Sequence, residues 1–298
     1  MADSVDYNLP DLADKAWFEL VIAIARQIMW DASAILQAYY RGDALEVEQQ
    51  QDGPVTAADL AVNQHILKSL QAVFDPNAFG YLSEETYKAQ AVTSTLPWVW
   101  VIDPLDGTKD FINKTGEYAI HLALVYQHRP VISLVAIPER ELVYFAWLGG
   151  GTYREGSDRT ITRVQISDRR RITNLREMTL VASRTHRDLR FELLIDKIAF
   201  QECRGIGSVG CKIASIIEQQ TDVYISLSGK SAPKDWDLAA PELILLEAGG
   251  VFSRADGSPL QYNTGNVSQW GCIVASNGAN HGEICKTATA ILADIDNS

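Results

Sequence analysis

The hexapeptide Asp103-Pro104-Leu105-Asp106-Gly107-Thr108 is the densest concentration of reactive side chains in this sequence. It follows the apolar run Trp98 to Ile102, so a strand runs into a turn. A proline and a glycine so close together fix a sharp bend that projects both acids toward one point. Two carboxylates, with the free carbonyl of Leu105 between them, make a hard oxygen site suited to Mg2+. The N–H groups around Gly107 and Thr108 suit a phosphate, as helix N-termini and backbone nests do. Taken alone, the same residues read equally well as an Asp-Pro turn followed by a helix N-cap.

Two further acidic clusters favour the chemical reading. Ser83-Glu84-Glu85 ends an apolar stretch upstream, and Lys234-Asp235-Trp236-Asp237 opens a helical segment that runs on to Ala248-Gly249-Gly250. Each has a plain structural alternative. Glu84 and Glu85 suit a solvated loop, Asp237 a helix N-cap, and Asp59 the acid of a capping box begun by Thr56.

Together, Val55-Thr-Ala-Ala-Asp59, Glu84-Glu85, the Asp103–Thr108 turn and Trp236-Asp237 with Ala248-Gly249-Gly250 resemble the inositol monophosphatase superfamily. These are Mg2+-dependent, lithium-sensitive phosphomonoesterases, and the match runs in the family's order from Val55 to Gly250. The resemblance implies a layered α-β-α-β-α sandwich of mixed α/β class. It also implies metal ligation by Glu84, Asp103, Asp106, Asp237 and the Leu105 carbonyl, with Asp59 and Thr108 polarising the attacking water. About two or three Mg2+ ions are implied as cofactors.

Three segments resemble the bisphosphate 3′-nucleotidases of that superfamily: Asp106-Gly107-Thr108-Lys109-Asp110-Phe111, Ser183-Arg184-Thr185-His186, and Gly207 to Lys212 together with Asp237-Leu-Ala-Ala-Pro-Glu242. By this resemblance Gly107, Thr108 and Asp237 meet the substrate at its reacting end, Ser183 and His186 meet the ribose or base, and Lys212 reaches a 5′-phosphate. Ser208 would contact the substrate where relatives often carry glycine. The implied partner is a small phosphorylated nucleotide, adenosine 3′,5′-bisphosphate or its 5′-phosphosulfate analogue. An inositol monophosphatase and a fructose 1,6-bisphosphatase are the alternatives of the same class.

The elements that must position these groups follow from periodicity. Residues 12–41 read as one amphipathic helix through Trp17, Val21, Ile24, Ile28 and Ile35, stopped by Gly42. Glu46 to Gly53 reads as a polar loop, and a second helix runs from Thr56 to about Val73. Beyond the Asp-Pro turn, Tyr118–Tyr126, Val131–Ile137 and Leu142–Trp147 are broken at Arg129-Pro130 and Pro138-Glu139-Arg140, which predicts an antiparallel meander. From Thr179 onward, strands and helices alternate in β-α units, including a helix at His186–Ile198 and one at Leu238–Glu247. The chain is expected to divide into a metal-binding half, 1–160, with an antiparallel sheet, and a nucleotide-side half, 161–298, with a more parallel one.

Composition sets the outer limits. The chain has 298 residues with 26 Lys+Arg against 38 Asp+Glu, a formal charge of −12, and 47% hydrophobic residues, which is ordinary for a globular protein. Residues 1–150 carry 9 basic and 20 acidic side chains, so the deficit lies almost wholly in the half that holds the Asp-Pro turn. Such acidity excludes a nucleic-acid-binding surface, which needs a cationic face. The apolar runs are of strand length, and the start lacks a basic n-region and an apolar h-region, so neither a membrane span nor a signal peptide is expected. The four cysteines show no metal-like or C-x-x-C spacing. A cytoplasmic monomer or homodimer is expected.

Two further motifs point elsewhere. Gly205-Ile-Gly207-Ser-Val-Gly210 fits G-x-G-x-x-G after a strand, so an NAD(P)-binding oxidoreductase is the rival from another class. No acid ends the following strand, Leu227-Ser228-Gly229-Lys230-Ser231, to hold ribose hydroxyls. Ser228–Ser231 also mimics the end of a Walker A loop, but Tyr224 stands where its first glycine belongs. A non-catalytic nucleotide sensor would need no complete acidic set.

Overall fold

The computed structural model describes residues 14–42, 47–50, 53–90, 93–167, 174–184 and 187–297. Helix α1 (Lys15–Arg41) is capped by Asp14, whose carboxylate accepts the Trp17 N–H, and it buries Trp17, Val21, Ile28 and Leu36 along one face. Where a polar loop is expected, strands β1 (Val47–Gln50) and β2 (Gly53–Thr56) pair as an antiparallel hairpin. Helix α2 (Ala57–Gln71) opens with the predicted capping box: Asp59 Oδ2 accepts the Thr56 N–H at 2.7 Å.

A seven-stranded sheet follows. It is built from β3 (Phe79–Ser83), β4 (Trp98–Asp106), β5 (Ala119–Tyr126), β6 (Arg129–Ile137), β7 (Leu142–Trp147), β8 (Gly151–Gly156) and β9 (Ile161–Val164), in that spatial order. Short helices α3 (Glu84–Gln90) and α4 (Thr108–Ile112) follow β3 and β4. Only β3 and β4 are parallel; every later pair is antiparallel, as the meander predicts. Strands β8 and β9 lack a clean apolar alternation, and periodicity alone marks neither.

The second sheet takes the order β11-β10-β12-β14-β13. Its elements are β10 (Thr179–Ala182), α5 (Leu189–Ile198), β11 (Glu202–Gly205), α6 (Val209–Ile217), β12 (Val223–Leu227), α7 (Asp235–Glu247), β13 (Val251–Arg254), β14 (Cys272–Ser276) and α8 (His281–Asp296). The first three strands of that order are parallel and the last two antiparallel. Helix α8 is not among the expected elements, although Ile284, Ala288 and Leu292 recur at its buried face.

Three cores stack these elements into five layers. Helices α1 and α2 cover one face of the large sheet, where Trp98, Trp100 and Ile102 point. Helices α6 and α7 fill the space between the sheets against Val99, Val101, Phe252 and Ile273. Helices α5 and α8 close the outer face of the second sheet over Leu180, Val223 and Val274. This is the expected α-β-α-β-α sandwich. Among the described residues no helix is long and apolar enough to cross a membrane, and all four cysteines are unpaired.

Candidate active site

Strand parity aims the first acid. Successive β4 side chains alternate between faces, so Asp103 shares the face of Val99 and Val101 and points toward the middle helices. Ser83 pairs with Ile102 across the parallel β3–β4 ladder, so Glu84 and Asp103 emerge abreast at the carboxyl ends of two parallel strands. The β4–β5 register then shifts between Asp103 and Asp106, which keeps the second acid beside the first. Asp103 Oδ1 accepts the Leu105 N–H at 3.0 Å and holds the proline turn closed.

Asp237 arrives from the other side, but not as a helix N-cap. Helix α7 begins three residues before the expected start, and Asp237 Oδ2 reaches back to the Lys234 N–H at 2.7 Å. This brings ligand atoms of Asp103, Asp106 and Asp237 within 4.8 Å of one another. Burial pushes the Asp103 carboxyl well above the usual range, and the charges of Glu84, Asp106 and Asp237 push it further. The same causes raise Asp237 to about 8, and burial raises Glu84 to about 7. Carboxylates crowded to this degree resist ionising together, and a hard divalent cation among them removes that resistance. The donor set therefore fits Mg2+.

Glu84 is not left bare. Lys88, one turn along α3, lies 2.9 Å from Glu84 and 3.1 Å from Glu85. The i,i+4 spacing of Glu84 and Lys88 is the signal in the sequence that could have found this pair. Asp59 is 1% exposed and burial raises its carboxyl to about 6. Thr108 Oγ1 donates to the Leu105 carbonyl at 3.2 Å.

Asp106 is the bridge between the two sheets. Its Oδ2 accepts from Ser208 Oγ at 2.5 Å, from the Val209 N–H at 2.5 Å and from the Gly210 N–H at 3.2 Å, at the amino end of α6. A carboxylate is favoured there by the helix dipole and the free amides. His121, 1% exposed, stands behind it with Nε2 3.2 Å from Asp106 Oδ2, out of hydrogen-bond alignment. Burial lowers the His121 imidazole below its ordinary range, with Asp106 pulling the other way. A Cβ on Gly210 would stand 2.5 Å from that ring, so only glycine fits.

This arrangement accounts for the glycine motif. The Gly207 N–H donates to Glu117 Oε2, the Ser208 N–H to the Glu117 carbonyl, the next two amides to Asp106, and the Cys211 N–H to Ser208 Oγ. The amides from Gly207 to Cys211 are thus engaged by protein, and no pyrophosphate can take them. The turn serves close packing, not a dinucleotide. Ser208 is 1% exposed, its Oγ donates to Asp106, and it is absent from the lining of the cleft.

Glu84, Asp103, Asp106 and Asp237 line a cleft of about 310 Å3 that also takes in Gly107, Thr108, Ser183 and Lys212, whereas Asp59, bonded to Thr56, is absent from its lining. Lys212 is 3% exposed, not solvated, and its ammonium donates to the Gly207 carbonyl. Phe191, Tyr224 and Leu227 give the cleft an apolar wall. His186 lies outside the described residues.

The chain matches the model of the inositol monophosphatase family over residues 17–293. It is 32% identical to the 3′(2′),5′-bisphosphate nucleotidase CysQ of Salmonella typhimurium over 82% of this chain and 93% of that protein. It is 30% identical to the protein of the same name from Escherichia coli K12 over 77% and 88%. Among solved structures, the fold matches a Thermotoga maritima IMPase with a TM-score of 0.73 at 21% identity, covering 93% of this chain and 99% of that one. It matches the inositol monophosphatase of Anabaena with a TM-score of 0.71 at 24% identity, covering 91% and 96%. A five-layer sandwich with its acids gathered at the ends of β3 and β4, matched by a family model over nearly its whole length, places this chain in the inositol monophosphatase family.

Proposed function

We propose that this protein is a Mg2+-dependent phosphomonoesterase that removes the 3′-phosphate of adenosine 3′,5′-bisphosphate, giving AMP and phosphate. The observation that carries the reading is one cleft lined by three crowded carboxylates, by Lys212 and by the apolar side chains of Phe191, Tyr224 and Leu227. Such a lining suits a small ligand that carries more than one phosphate and presents a ring face to the apolar wall. The CysQ relatives, whose name is bisphosphate nucleotidase, support the same substrate class.

In this reading Glu84, Asp103, Asp106, Asp237 and the Leu105 carbonyl hold the cations. Bound there, Mg2+ lowers the pKa of the attacking water and shields the phosphate charge. Thr108 orients the water and Asp59 accepts its proton, a task suited to a carboxyl raised to about 6. The water oxygen bonds to phosphorus as the bond to O3′ breaks, and solvent returns a proton to O3′. Gly107 and Thr108 border the reacting phosphate, and Ser183 and Lys212 serve the nucleoside and its second phosphate; the family resemblance gives His186 the same role as Ser183.

The test is phosphate release with Mg2+ across adenosine 3′,5′-bisphosphate, inositol 1-phosphate and fructose 1,6-bisphosphate. The bisphosphate nucleotide is expected to have the highest kcat/KM, by about tenfold or more, since only that ligand combines a second phosphate with a base for the apolar wall. A higher value for either alternative would assign the cleft to an inositol or sugar phosphatase.

A further inference from the structure

Behind the cleft wall lies an ion cluster that none of the expected site residues includes. Arg184 sends Nη1 to Asp110 Oδ1 and Nη2 to Glu117 Oε2, both at 2.5 Å. Glu117 Oε2 also accepts the Gly207 N–H at 2.8 Å, and Asp110 Oδ1 accepts from Thr115 Oγ1 at 2.9 Å. Asp110 and Gly207 line the cleft; Arg184 and Glu117 are absent from its lining. The approach of the two walls is close enough that a Cβ on Gly207 would meet Asp110 and the Glu117 carbonyl at 2.5 Å.

The joined pieces belong to different elements around the site. Asp110 sits on α4, two residues after Thr108, beside the reacting phosphate. Gly207 begins the turn into α6, which carries Lys212 and receives its ammonium on the Gly207 carbonyl. Asp106 and the Glu117 carbonyl tie this turn to the large sheet as well, and Thr115 bonds both Asp110 and the Glu117 N–H; Arg184 adds a charged bridge between the Asp110 and Glu117 side chains. An isolated exposed ion pair contributes little. Here one guanidinium fork, about a third exposed, serves two carboxylates that are 15% and 32% exposed, a geometry that fixes position as well as charge.

We infer that Arg184 and Glu117 are positioning residues that set the span between the reacting end of the cleft and Lys212, and so select a ligand with two phosphates over a single small phosphomonoester. This rests on the bisphosphate reading of the cleft. Loosening the cluster lets the Gly207 turn and Lys212 drift from α4. Glu84, Asp103 and Asp237 stay where β3, β4 and α7 place them.

The experiment compares steady-state kinetics on adenosine 3′,5′-bisphosphate and on glycerol 2-phosphate, which lacks the far phosphate and the nucleoside. It uses the intact Mg2+-loaded enzyme as wild type, Glu117→Gln, Arg184→Met, the double variant and Arg184→Lys. In either single variant KM for the bisphosphate should rise about tenfold with kcat within about twofold, while kcat/KM for glycerol 2-phosphate stays within about twofold. The double variant should be no worse than the singles, since both remove the same coupled contact. Arg184→Lys, which keeps the charge but not the fork, should fall between. Equal losses on both substrates, additive losses, or an unchanged ratio would overturn the positioning role. A wild-type enzyme with no preference for the bisphosphate would instead overturn the nucleotide reading itself, and this role with it.

Discussion

Asp103→Asn is expected to reduce Mg2+-dependent phosphate release by about a thousandfold or more while raising the melting temperature of the metal-free protein. The two effects have one cause. Asp103 is 1% exposed, and its carboxyl is pushed up by burial and by the charges of Glu84, Asp106 and Asp237. An amide of the same shape removes one charge from that group. Its oxygen can still accept the Leu105 N–H that closes the turn. Relief of one buried like-charge contact stabilises by about 1–2 kcal/mol, or roughly 2–6 °C for a chain of this size. In the proposed reading, catalysis fails because the cluster loses one of its charged cation ligands. Thermal unfolding in EDTA beside phosphate release in Mg2+ reads both effects. A melting temperature that falls together with activity would make Asp103 a structural residue.

The second large effect is a metal-dependent reversal of pH behaviour. Asp237 is raised from its ordinary value to about 8, Glu84 to about 7, and Asp59 and Asp235 to about 6. A carboxyl with a raised folded pKa binds protons more tightly in the folded state. Its stabilising effect is complete below the unfolded pKa and is lost as pH rises through the folded value. The metal-free protein should therefore lose stability between about pH 4 and pH 8. A tenfold tighter hold on one proton corresponds to about 1.4 kcal/mol. Because Glu84 and Asp237 share one site, the joint effect is closer to about 2–4 kcal/mol than to the full sum. The melting temperature in EDTA should fall by about 5–10 °C from pH 5 to pH 8. Saturating Mg2+ should flatten the curve, so the stabilisation by Mg2+ grows with pH. Mg2+ stabilisation that is equal at pH 5 and pH 8 would mean that the cation does not bind these carboxylates.

The acids at the β4 end were legible because local rules converge on them. Alternation along Trp98–Ile102 assigns a face to Asp103, and a proline turn with two acids does not depend on distant chain. The layered architecture was legible for a similar reason: each helix and strand carries its own period, and the turn residues fall between them. The N3 role of Asp237 was missed because α7 starts three residues earlier than its apolar pattern suggests.

What stayed hidden is contact at long range. The partner of Asp106 lies 103 residues away at Val209, and that of Asp110 lies 74 residues away at Arg184. No periodicity encodes either pairing. Only the packing of α6 between the sheets decides that the glycine turn faces a carboxylate and not a pyrophosphate. The hairpin of β1 and β2 escaped for the opposite reason: its polar strands carry no apolar alternation to read.

The most direct measurement is the identity of the product formed from adenosine 3′,5′-bisphosphate with Mg2+, followed by phosphorus NMR and chromatography. AMP retaining its 5′-phosphate, with one phosphate released per nucleotide and none released in EDTA, is the expected result. Adenosine 3′-phosphate as the product, or turnover that continues undiminished in EDTA, would contradict the placement of the reacting phosphate among Asp103, Asp106 and Asp237.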